Sequence, residues 1–142
     1  MKPVPDGYHS ITPYLICGGA AKAIEFYKKG FRRGGNLAPG RPRRKDWPRR
    51  VKIGDSIVML ADEHPEMGAR GPRTIGGSPV SILLYVNDVD AVYARAVGAD
   101  AKAQRPVSNQ FYGDRAGSVE DPFGHTWHIH THVEDLTPEE IA

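Results

Sequence analysis

The sequence predicts an α+β fold of two tandem βαβββ modules, and three observations predict it. A β-branched and aromatic run leads into a helical repeat twice, at residues 11–31 and again at 80–99. The helix openings at Gly19 and Asp88 lie 69 residues apart and the turn glycines Gly54 and Gly124 lie 70 apart, so the two copies keep the same internal spacing. Between them, DEHPEMGARGPRTIGGSP carries the Gly and Pro content of a connection. At 142 residues the chain is long enough for one domain over 1–142, with a first module at 10–63 and a second at 78–135.

Taken in order, ITPYLIC (11–17) reads as a strand, and the lone Cys17 within it as a small buried hydrophobe, since one cysteine closes no internal disulfide. GGAAKAIEFYKKGF follows, with Ala20, Ile24, Tyr27 and Phe31 at helical spacing. VKIGDSIVMLA turns at Gly54 between two strands. VSILLYV (80–86) opens the second copy as a β-branched and aromatic strand. In NDVDAVYARAVGA either Asn87 or Asp88 serves as N-cap, with Val89, Val92 and Ala96 on one face. The strands around FYGDRAGSVEDPFGHTWHIH close the second module.

Composition excludes some functions. Hydrophobic residues make up 39% and charged residues 25%, and no apolar run is long enough to span a bilayer. The KPVPDGYHS after Met1 has no apolar stretch of signal-peptide type, so the expected compartment is the cytoplasm. The net charge of +2 is unevenly spread: residues 32–50 hold eight basic side chains against Asp46, which is +7, and the remainder is −5. Any argument towards a nucleic-acid partner therefore concerns that segment alone.

With EFYKKGF closing the first helix, LYVNDVDAV opening the second and FYGDRAGSVEDPFGHTWHI near the end, the chain resembles the vicinal oxygen chelate superfamily, which comprises glyoxalase I, the bleomycin-resistance proteins and the extradiol dioxygenases. The resemblance covers residues 10–31 and 51–135. It implies that each half curls into an incompletely closed barrel around a cleft, and that the chain is a homodimer.

Where that resemblance implies a second strand, a turn and a third strand, this chain has RRGGNLAPGRPRRKDWPRR. Three prolines each remove a ladder donor and three glycines weaken the rest. KDWPRR can be encoded as AAA GAT TGG CCA CGC CGA, which read one base later gives KIGHA and then Asp or Glu; FRRGGN likewise gives FGAEET. The expectation is that residues 32–50 are an out-of-frame passage between in-frame flanks; the alternative is a natural divergent insert or basic loop.

The resemblance also implies where a divalent ion would sit: on one side chain from the first and last strand of each half, here Thr12, Met59, Ser81 and His128. Only His128 is a good ligand, and one imidazole with two hydroxyls and a thioether makes a poor cage, so no metal cofactor is expected. His128, His130 and His132 recur with period two on one strand face, but successive residues there stand about 6.5–7 Å apart, too far for all three to hold one ion. His128 is expected to point into the cleft, with His130 and His132 running on towards solvent.

The remaining candidates come from the motifs. Tyr112, Asp114 and Arg115 could orient a polar ligand, or Asp114 and Arg115 could pair and brace the turn. Trp127 is a core residue or a ligand wall. Tyr14 could face the cleft or a subunit partner. His128 is the candidate base, with no acidic orienter legible for it. The reading is a cleft that sequesters a small organic ligand without metal, or else a glyoxalase-like lyase or dioxygenase with an atypical or metal-free site centred on His128. A nucleic-acid binder is the weakest reading, because the arginine run carries only Trp47 as an interleaved aromatic.

Overall fold

In a computed structural model, which describes residues 2–31 and 49–141, the first strand is shorter than the sequence suggested. Strand β1 is Tyr14–Cys17 and buries Leu15 and Cys17. It begins after Pro13, which has no N–H to donate to a ladder, and Ile11 is 86% exposed. Helix α1, Ala20–Gly30, follows Gly19 at φ 118°, a left-handed conformation that glycine adopts readily. Its buried face is Ala20, Ala23, Phe26, Tyr27 and Gly30, so Ala23 and Phe26 take the place expected for the half-buried Ile24. The Phe26 ring lies 5.3 Å from that of Tyr27 and 5.6 Å from that of Phe31, fixing the helix end in an aromatic cluster.

Strands β2 (Arg49–Ile53) and β3 (Ser56–Asp62) complete a sheet of order β1-β3-β2, with β1 parallel to β3 and β2 antiparallel to it. Most of the stretch read as out of frame, residues 32–48, lies outside the described residues; Arg49 and Arg50, included in that reading, form the start of β2. The connection after β3 is more ordered than a plain loop. It holds a 3-10 turn at Pro65–Met67 and helix α2 at Pro72–Ile75, the helix braced by Glu63, whose carboxylate accepts from the Gly71 amide and the Thr74 hydroxyl at 2.7 Å each.

The described chain divides into two compact units, Met1–Gly77 and Ser78–Ala142. The second contains β4 (Ser81–Tyr85), α3 (Val89–Gly98), β5 (Lys102–Asn109), β6 (Asp114–Glu120), β7 (Thr126–His132) and α4 (Pro138–Ile141). Its strand order is β4-β7-β6-β5, with β4 parallel to β7. The same plan governs both units. Tyr14 pairs with Met59, and the residues 69 positions after each, Leu83 and His128, pair in the same way. The helix starts match too: the Ala20 amide donates to Asp62 Oδ1 at 2.7 Å, and the Val89 amide, 69 residues later, donates to Thr131 Oγ1 at 2.9 Å. In each unit the last strand thus satisfies a helix N-terminus that would otherwise leave its first amide unpaired. Asp88 is the N-cap of α3, accepting from the Ala91 amide at 3.2 Å.

The fold is therefore α+β, and among the described residues neither sheet closes on itself. One face of the second sheet buries Val119, Trp127 and Ile129 together with Val89, Val92 and Ala96 of α3. Gly117 permits the close approach, since a Cβ there would meet the Tyr93 ring of α3 at 3.0 Å. Among the described residues no helix is long and apolar enough to cross a membrane.

Candidate functional site

Strand alternation decides what the other face of the second sheet displays. The turn after Asp121 sets the β6–β7 register so that Ser118 lies opposite His128, Ala116 opposite His130 and Asp114 opposite His132. On the other side of β7, Leu83 lies opposite His128 and Tyr85 opposite His130. The three alternate histidines therefore stand between the side chains of β6 and β4, on the face away from α3.

His128 is held at both ends of its ring. Ser118 Oγ lies 2.7 Å from Nδ1 and Ser81 Oγ lies 3.1 Å from Nε2. Burial, then the neighbouring His130 and Arg105, lower its pKa below the usual histidine value, so at neutral pH the ring is uncharged. A neutral imidazole donates through one nitrogen and accepts through the other. Hydroxyls, which do both, match it in either tautomer.

Beside it a second network centres on Asp114, which is 3% exposed. Oδ2 accepts from the Tyr85 hydroxyl at 2.8 Å and from His130 Nδ1 at 2.9 Å, and Oδ1 accepts from His132 Nδ1 at 2.8 Å. Burial pushes this carboxyl up, but the hydrogen bonds from His132, His130 and Tyr85 outweigh it and hold the pKa at about 2. The carboxylate is thus ionised and only accepts, which places a proton on Nδ1 of each histidine. His132 Nε2 also meets Asp135 Oδ1 at 2.6 Å, and the two carboxylates, Asp135 foremost, raise the His132 pKa. His130 is flanked by the Tyr85 ring at 5.6 Å and by the stacked Tyr112 ring at 6.3 Å. A cleft of about 300 Å³ opens here, lined among others by Arg105, Pro106, Tyr112, Ser118, His128 and His130.

Three expectations are corrected by this arrangement. His130 does not run out to solvent: it is 7% exposed, because β6 and β4 flank β7 on both sides. Asp114 and Arg115 do not pair with each other, since adjacent strand residues point to opposite faces; Arg115 instead forms a bidentate bridge to Asp90 of α3 at 2.8 and 3.0 Å. Trp127 is no ligand wall. It is 1% exposed, on the α3 face, and donates Nε1–H to Asp121 Oδ2 at 2.9 Å.

Of the four positions implied for an ion, Ser81 and His128 are joined by the hydrogen bond above. Thr12 and Met59 belong to the first unit, Thr12 half-buried just before β1 and Met59 half-buried in β3 opposite the half-exposed Tyr14. The donor set does not fit a divalent ion: the single imidazole has both nitrogens engaged, and hydroxyls with a thioether are weak partners. Among the described residues no three His, Cys, Asp or Glu side chains are grouped to hold a metal. The sequence reading missed Tyr85, Ser118 and Arg105. Counting back from the DPFG turn along a hairpin would have put Ser118 across from His128.

A family model for the glyoxalase/bleomycin resistance protein/dioxygenase superfamily matches residues 7–129. An uncharacterized protein of Mycobacterium bovis is 39% identical over 136 residues, 93% of this chain and 89% of the relative. Among solved structures, a Pseudomonas aeruginosa protein superposes with TM-score 0.64 at 26% identity, covering 89% of this chain and 99% of its own. A glyoxalase-related enzyme from Fulvimarina pelagi superposes with TM-score 0.61 at 18% identity over 87% of this chain and 88% of its own, a likeness of fold alone.

Proposed function

The chain belongs to the glyoxalase/bleomycin resistance protein/dioxygenase superfamily, and from that premise we propose that it binds a small organic ligand in the cleft of its second unit without a metal. The observation that carries this reading is the capture of His128 by two serine hydroxyls at the wall of a 300 Å³ cleft. A ligating imidazole must offer a lone pair to the ion, and here Ser81 and Ser118 occupy both nitrogens. A base centred on His128 would face the same competition. The cleft has the size of the smaller ligand sites, about 300–1,000 Å³, and its lining is mostly polar, with Pro106, Tyr112 and Ala116 set among the polar groups. The homodimer implied by the family resemblance and the cytoplasmic location expected from the sequence belong to this proposal as well.

The test is metal analysis together with ligand screening. Protein purified without chelator is expected to carry well under about 0.1 equivalent of zinc, nickel, iron or manganese, and calorimetric titration with each ion is expected to give no stoichiometric binding. A fragment library is expected to contain compounds that raise the melting temperature, since a ligand bound only to the folded state stabilises it, and that perturb the His128 ring signals. One equivalent of tightly held metal whose removal abolishes ligand binding would overturn the proposal.

A further inference from the structure

The chain leaving β7 folds back on the turn that leads into β6. The Val133 and Glu134 amides both donate to the Gly113 carbonyl, at 2.9 and 3.1 Å. The approach is close, since a Cβ on Gly113 would collide with the Glu134 carbonyl oxygen and stand 3.6 Å from Leu136 Cγ. The second tie is His132. Its Nδ1 lies 2.8 Å from Asp114 Oδ1 and its Nε2 lies 2.6 Å from Asp135 Oδ1, so one ring spans a carboxylate of β6 and a carboxylate of the departing segment. A neutral imidazole has one N–H and can donate to only one of them, whereas the imidazolium donates to both. The two carboxylates are not equivalent. Asp114 is 3% exposed and would lose a donor to a buried charge if the ring turned away. The Asp135 side chain is 99% exposed, so water replaces the ring there at little cost. Loss of the second ring proton therefore breaks the Asp135 contact and keeps the Asp114 contact.

We propose that residues 133–141 form a proton-operated strap, closed on the 110–113 turn when His132 is the imidazolium and released when the ring is neutral. This goes beyond ligand binding and does not depend on what the cleft holds. The strap reaches the cleft through the turn, because Gln110 and Tyr112 line the cleft and the Tyr112 ring stacks on His130. The groups around His132 leave its two carboxylates in control. His130 of β7 and Tyr85 of β4 bond the other oxygen of Asp114, Arg115 of β6 pairs with Asp90, and Glu134 in the strap is exposed. Asp135 first and Asp114 second favour the charged ring and raise its pKa. The closed strap is accordingly at full strength below the ring's ordinary value of 6.5, and it loosens as pH rises through the higher folded value.

The experiment follows the full chain by NMR from about pH 5.5 to 9, across the range in which a histidine with a raised pKa titrates. It records the His132 Cε1–H signal, the backbone order of residues 133–141, and the hydrogen-exchange protection of the Val133 and Glu134 amides corrected for intrinsic rate. Protection is expected to fall about two- to fivefold, the scale of an exposed ion pair, with the midpoint of the His132 signal. The Gln110 and Tyr112 amide signals are expected to move with it. In Asp135→Asn the side-chain amide can accept from Nε2–H or donate to the bare nitrogen, so the step in protection is expected to vanish. His132→Ala is expected to leave the strap loose at every pH. Both side chains are half-exposed or fully exposed, so the variants keep the core intact. Strap order that stays constant through the His132 titration, or a step of undiminished size in Asp135→Asn, would overturn the proposal. Gln110 and Tyr112 signals that stay still while the strap loosens would overturn its link to the cleft wall.

Discussion

Replacing Asp114 by Asn tests how much the second unit depends on its buried carboxylate. The substitution keeps the shape but turns one acceptor oxygen into an NH₂ donor, so at least one of Tyr85, His130 and His132 is left facing another donor. Holding the carboxyl at about 2 instead of 3.8 corresponds to about 2 kcal/mol of folding free energy. The hydrogen-bond view gives a similar figure, because an unsatisfied buried His130 costs about 1–3 kcal/mol; His132 is half-exposed and can recover part of its loss in water. For a chain of this length about 2–3 kcal/mol lowers the melting temperature by about 5–10 °C. The pH dependence gives a second handle. A carboxyl whose folded pKa is depressed contributes fully above its unfolded value of 3.8 and loses the contribution as pH falls through about 2. Melts followed by circular dichroism at pH 7, 4 and 2.5 are therefore expected to show a gap between wild type and Asp114→Asn that is full at pH 7 and narrows between pH 4 and 2.5. A gap below about 1 °C at pH 7, or one that stays constant down to pH 2.5, would refute the reasoning.

Two further outcomes follow from neighbouring residues. Gly113 has φ 96°, and a Cβ there would collide with the Glu134 carbonyl oxygen, so Gly113→Ala is expected to cost more than about 2 kcal/mol in urea unfolding; a loss under about 0.5 kcal/mol would contradict the geometry. His132, raised by Asp135 and Asp114, contributes stability below its unfolded value near 6.5 that is lost as pH rises through its higher folded pKa. An NMR titration is expected to give a midpoint above 6.5 that moves down in Asp135→Asn, and an unmoved midpoint would remove Asp135 from the account.

Much of the fold was legible because it is written in periodicity. The 69-residue offset between helix openings reappears in strand register and in the strand side chains that cap both helices. Val89, Val92 and Ala96 read as one helix face because three- and four-residue spacing forces them there. The site was legible only in part. Period two placed His128, His130 and His132 on a common face, but burial along that face depends on which strands flank β7, a non-local fact. That is why His130 was expected in solvent and stands 7% exposed. The Asp114–Arg115 pairing failed for a reason the sequence did contain, since neighbours on a strand diverge, whereas Arg115's partner Asp90 lies 25 residues away on a helix. Ser118 carries no distinctive motif, and only the register of the hairpin gives it meaning.

In both sheets the strand made first lies beside the strand made last. Tyr14 waits 45 residues for Met59, and Ser81 waits as long for Thr126. At synthesis rates of about 5–20 residues per second, β4 remains without its neighbour for about 2–9 s while the intervening helix and strands emerge. The arrival of β7 closes the ladder and delivers His128 and His130 in one event, so a nascent chain halted short of it has an open strand edge and no histidine face at all.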